Sequence, residues 1–92
     1  MELAEIQEKV KAILARELGM DAATIGDDTT VDNSPLWDSV KHVDIVFAIQ
    51  DSFGLQFHPR EIDEMYSYRE IVDTLVRRLI TAPGEVRDYS SG

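Results

Sequence analysis

Apolar residues recur at steps of three and four in three separate stretches of the chain. In the first, Leu3, Ile6, Val10, Ile13, Leu14 and Leu18 share one face of a helix. Glu2 and Glu5 near its start, and Lys11 and Arg16 nearer its end, suit the helix dipole. Gly19 follows the last periodic residue and predicts the stop. Residues 20–37 carry no long period. Thr, Asp, Asn, Ser and Pro dominate there, which predicts an ordered loop pinned by Ile25, Val31 and Leu36, with one helical turn near Asp21 to Ile25. A second helix is predicted from near Asp38-Ser39 to Gly54. Its Val40, Val43, Val46, Phe47, Ile49 and Phe53 fill about half the circumference, while Lys41, Asp44, Asp51 and Ser52 lie on the other side. Leu55 and Phe57 anchor the next loop, and Pro59 opens a short helix over Arg60 to Met65. Ser67 and Glu70 form a capping-box pattern ahead of a third stripe of Tyr68, Ile71, Val72, Leu75, Leu79 and Ile80. Ala82-Pro83-Gly84 breaks that stripe.

No strand pattern and no repeat competes with these helices. The expected fold is all-α: three longer helices and one short one in a bundle, joined by a long first loop. The expected division is a single domain over residues 1–81 and a disordered polar tail over 82–92.

Composition narrows the function. The 92 residues make one small domain with one core, so a deep enclosed substrate pocket is not expected. There is no cysteine, which excludes disulfides, thiolate chemistry and cysteine-based zinc sites. A net charge of −9 argues against nucleic acid and anionic membrane surfaces and favours basic partners. No apolar run is long enough to span a bilayer, and the amphipathic, acid-bearing start does not read as a signal peptide. A cytoplasmic monomer is the expectation.

Most candidate chemistry falls away on inspection. His42 and His58 sit on different elements and are expected to be ordinary, partly exposed histidines. A Ser39-His42-Asp44 triad cannot supply the strained elbow and oxyanion donors of acyl transfer from a helix start. Asp27, Asp28, Asp32 and Asn33 resemble a calcium loop, but Asn33 and Ser39 stand where Gly and Glu are needed. Trp37 is expected to be a buried anchor. Ser39 stands apart. As a helix N-cap or first-turn residue, it holds its hydroxyl where free N–H groups and the positive dipole end favour an attached phosphate.

Over residues 3–81 the chain resembles an acyl carrier protein. Asp38-Ser39-Val40 is similar to that family's Asp-Ser-Leu motif, and it follows a long acidic loop. After it come Val43-Asp44-Ile45-Val46-Phe47-Ala48-Ile49, Asp51-Ser52-Phe53-Gly54, Phe57, the short helix and the capped last helix. The resemblance implies a carrier rather than an enzyme. Its cofactor would be 4′-phosphopantetheine, placed on Ser39 from coenzyme A by a phosphopantetheinyl transferase, with Asp38 helping to orient the modifying enzyme or the phosphate. The arm would hold acyl groups as thioesters, supplied by loading ligases or synthases. Partners would read the second helix through Val40, Asp44, Phe47 and Asp51.

Three departures qualify the likeness: Leu36 stands where the family often has Gly, and Lys41 and Gln50 stand where fatty-acid carriers usually have acids. The less acidic second helix favours a dedicated lipid or secondary-metabolite pathway over the general fatty-acid synthase, with a solvent-facing Lys41 as a specificity filter. The expected protein is a stand-alone carrier. The residue before the serine is Asp rather than the His common in peptidyl carriers. A peptidyl or aminoacyl carrier is the first alternative, and a helical adaptor without a prosthetic group is the second.

Overall fold

The computed structural model describes residues 2–80. Met1 and residues 81–92 lie outside it, and with them the expected helix break and polar tail. The chain forms α1 (Leu3–Leu18), α2 (Ser39–Phe53), α3 (Pro59–Glu64) and α4 (Tyr68–Leu79). Two 3₁₀ turns, Ala22–Thr24 and Val31–Asn33, lie in the first loop. The architecture is the expected all-α bundle. Among the described residues, the one strand-like contact is an isolated antiparallel bridge between Thr30 and Ser67.

α1 is the spine. It packs against α2 on one side and α4 on the other. Its Ile6, Val10, Ile13, Leu14 and Leu18 are buried against Ile45, Val46 and Ile49 of α2 and Tyr68, Ile71, Val72 and Leu75 of α4. Leu3, at the head of the expected stripe, is largely exposed. Gly19 and Gly54 end α1 and α2 in the left-handed region, at φ 65° and 67°, where a side chain would be strained.

The long loop is ordered by turns of its own. The Asp21 side chain accepts the Ala23 N–H at 3.0 Å and starts the expected turn. Asn33 organises the next one: its Oδ1 accepts the Thr30 N–H at 3.0 Å, and its Nδ2 donates to the Asp28 carbonyl at 2.7 Å. Asn33 is therefore committed to backbone groups within the calcium-like loop. Val31 N–H donates to Tyr66 O and Tyr68 N–H to Thr29 O, stitching the loop to the start of α4. One expected anchor moves. Leu36 is exposed, because a turn closed by Trp37 N–H on Ser34 O carries it outward and seats Trp37 in the core.

α2 also turns differently from its widest apolar arc. Its buried residues are His42, Ile45, Val46 and Ile49, whereas Val40, Val43 and Phe47 face solvent. Half the circumference is apolar, but α1 covers only one side of it.

α3 begins one residue before the expected span, with Pro59 inside the helix. The Glu61 carboxylate accepts the His58 N–H at 2.8 Å and pairs with Arg78 of α4 at 2.7 Å. α4 begins as expected, with Ser67 Oγ accepting the Glu70 N–H at 3.0 Å. The reciprocal half of the box differs. Glu70 takes the Ser67 hydroxyl proton at 3.3 Å instead of the Ser67 N–H.

Leu75 is fully buried and Ser67 is the cap of α4. Leu75→Ala should therefore cost about 2–5 kcal/mol and Ser67→Ala about 1 kcal/mol. Denaturant melts check both, and near-zero values for both would contradict this packing. Tyr68 is buried beside α1, and burial, helped by the Asp27 carboxylate, raises its phenol pKa above the ordinary 10.0. The folded chain thus holds this proton more tightly than the unfolded chain does. Its contribution to stability is intact below about pH 10 and is lost as pH rises through the folded pKa. Tyrosinate absorbance of wild type and Tyr68→Phe should show one phenol titrating late, and the substitution should soften the alkaline loss of stability.

Candidate functional site

The site is built at the start of α2. Asp38 is extended, at φ −106° and ψ −173°, and its Oδ1 accepts the Lys41 N–H at 2.8 Å. Its carbonyl accepts the His42 N–H at 2.8 Å. Asp38 is therefore the N-cap, and Ser39 is the first helical residue with its hydroxyl on the surface. A helix start leaves the first N–H groups without intrahelical acceptors. With Lys41 satisfied by the cap, those of Ser39 and Val40 remain beside the Ser39 hydroxyl. The positive end of a 15-residue helix adds to them.

The segment leading into the helix is clamped from inside. Trp37 and His42 are each only 2% exposed. The Trp37 indole Nε1–H donates to His42 Nδ1 at 3.1 Å, and the other imidazole nitrogen, Nε2, lies 2.9 Å from the Ile62 carbonyl of α3. An indole nitrogen only donates and a carbonyl only accepts. The imidazole is therefore neutral, with its proton on Nε2. Tyr66 stacks on the imidazole, with centroids 3.9 Å apart and planes 12° from parallel. His42 is thus a core residue rather than the partly exposed histidine expected. Both its ring nitrogens are taken, by Trp37 and Ile62, and Ser39 and Asp44 are exposed, so these three residues are not assembled into a triad. His58 is exposed at the cap of α3.

The outer face of α2 carries the residues expected to meet partners. Val40 is 73% exposed and Phe47 62%, and Asp44 and Asp51 are exposed with them. At 100° per residue the four lie on one stripe, four, seven and eleven positions along from Val40. Val43 widens this apolar surface. Lys41 leans toward the α1 side. Its Nζ lies 3.7 Å from Glu17 Oε1 and 3.9 Å from Asp44 Oδ2. Rather than facing solvent freely, Lys41 ties α2 to α1. Gln50, the other departure from acid, turns its Oε1 to the Phe57 N–H at 2.9 Å. It closes the loop after α2.

The family model described as a phosphopantetheine attachment site matches residues 8–75. The chain belongs to this family. The carrier domain takes a covalently attached 4′-phosphopantetheine, and domains of this kind carry groups rather than catalyse reactions on them. The adaptor alternative, which had no prosthetic group, is set aside by this membership. The start of α2 fits the group: an exposed hydroxyl, adjacent N–H groups and a helix dipole are what a seryl phosphodiester needs. Among the described residues no helix is long and apolar enough to cross a membrane.

Three contacts of the carrier domain were not visible in its residue pattern. The Trp37–His42 pair could have been suspected from two polar-tipped rings five residues apart across a helix start. The Tyr66 stack and the Lys41–Glu17 pair depend on how distant segments meet, and nothing local announces them.

Lys41→Glu should destabilise the fold slightly, by under about 1 kcal/mol, because a carboxylate would replace the ammonium between Glu17 and Asp44. Thermal melts at low and high salt check this. The loss should shrink as salt screens the repulsion, and a gain in stability at low salt would contradict the pairing.

Proposed function

We propose that Ser39 is the attachment residue and that the domain is an acyl carrier, bearing acyl groups as thioesters for loading and processing enzymes. The observation that carries this reading is the exposed Ser39 hydroxyl at the first position of α2, directly after the Asp38 cap and inside the matched region. Asp38 acts by building that helix start. In the transfer, Ser39 Oγ bonds to phosphorus, and the pyrophosphate bond of coenzyme A breaks. Adenosine 3′,5′-bisphosphate departs, and the hydroxyl proton passes to the phosphopantetheinyl transferase. Once attached, the arm supplies the thiol that the cysteine-free chain lacks.

The outer stripe of α2 is the proposed contact for the transferase and for acyl ligases or synthases. Phe47 and Val40 offer apolar area, and Asp44 and Asp51 offer charge to basic partners. Asp before the serine supports acyl over aminoacyl cargo. Lys41 places one positive group at the edge of this acidic face, and this supports a dedicated set of enzymes.

Intact-mass spectrometry after incubation with coenzyme A, magnesium and a broad-specificity transferase tests the attachment. Wild type should gain one phosphopantetheine and Ser39→Ala none. An unmodified wild type across several transferases, or a modified Ser39→Ala, contradicts it. Loading the modified protein from panels of acyl and aminoacyl donors then tests the cargo. Exclusive aminoacylation would contradict the acyl reading.

A further inference from the structure

α2 is tied to α3 by a polar bond from His42, a buried residue one turn into the helix that Ser39 begins. His42 follows Ser39 by three residues and Trp37 precedes it by two. The Trp37 Nε1–His42 Nδ1 bond therefore closes a short bridge with Ser39 inside it. The far side of the imidazole is anchored on Ile62 O, which also takes the Met65 N–H at the end of α3. Tyr66 fixes the ring plane. An aliphatic residue would fill this buried position without polar atoms to satisfy. An imidazole there is explained by what it links: the end of α3 at one nitrogen and the segment entering α2 at the other.

We propose that His42 is a positioning residue for the modification of Ser39. Held in its Nε2–H form between Ile62 O and Trp37 Nε1–H, it is a strut that fixes where the start of α2 stands. It thereby fixes where the Ser39 hydroxyl meets the transferase and coenzyme A. This rests on the attachment reading above. Small displacements of a nucleophile are costly in rate: about 1 Å can cost about a hundredfold. The strut is thus expected to act on turnover more than on binding, because Asp44, Phe47 and Asp51, further along the outer stripe of α2, are left in place.

The test is the kinetics of modification of the full chain by a broad-specificity transferase with coenzyme A. His42→Phe keeps a ring for Tyr66 and removes both hydrogen bonds. Its kcat/KM should fall about tenfold or more, chiefly in kcat. His42→Asn keeps an acceptor for Trp37 and should recover most of the rate. Trp37→Phe should match His42→Phe, and the double variant should be no slower than either single one. Helical circular dichroism and melts establish that each variant is folded. On wild type, imidazole ¹⁵N shifts should report the Nε2–H tautomer, and the Trp37 indole N–H should move in His42→Phe. A folded His42→Phe modified at the wild-type rate overturns the proposal, as does a wild-type Nδ1–H tautomer. So does a rate loss that follows melting temperature alike in the Asn and Phe variants. If wild type takes up no arm, the attachment reading fails and this proposal falls with it. Failure confined to the variants leaves the attachment reading standing.

Discussion

An indole N–H taken out of water must find an acceptor, and much of this structure follows from how Trp37 finds one. Leaving such a donor unpaired costs about 1–3 kcal/mol. His42 Nδ1 meets it at 3.1 Å, and that single bond forces the imidazole proton onto Nε2, where Ile62 O receives it. The buried indole thus draws the loop before α2 inward, orients the first turn of α2 and holds α3 near it. Asp38 completes the arrangement by capping the Lys41 N–H. Ser39 is left outside this inner set of bonds, at the first position of the helix, with its hydroxyl free.

The same economy shapes the rest of α2. A 15-residue helix with apolar residues around half its surface meets α1 along one side. Ile45, Val46 and Ile49 enter the core, and Val40, Val43 and Phe47 remain in water, flanked by Asp44 and Asp51. Exposing Phe47 and Val40 brings the fold no burial, and both lie on the outer stripe that begins at Val40, the residue after Ser39. An apolar strip rimmed by carboxylates suits transient contact with basic enzymes, which a carrier must meet one after another.

Periodicity made the bundle legible. The stripes of α1 and α4 and the stops at Gly19 and Gly54 could be read directly, because each is a local consequence of helix geometry and backbone freedom. Ser39 was legible for the same reason: a serine at a helix start needs no tertiary knowledge. What escaped was tertiary. His42 read as partly exposed because nothing in its own helix reveals Trp37, Tyr66 and Ile62 closing around it. The α2 stripe was read too far round, since pattern alone does not say that α1 would cover only one side. Lys41 reads as a solvent-facing side chain because the Glu17 that pairs with it comes from another helix. Leu36 read as an anchor because its hydrophobicity was visible and the turn that expels it was not.

The chain has six serines, Ser34, Ser39, Ser52, Ser67, Ser90 and Ser91, and Ser39 is the proposed bearer of the phosphopantetheine. Fragment-ion mass mapping of the transferase-treated protein addresses that directly. The added group should appear on the peptide containing Ser39, with fragment ions assigning it to Ser39 rather than to Ser34. The group on any other serine, or spread among several, would contradict it.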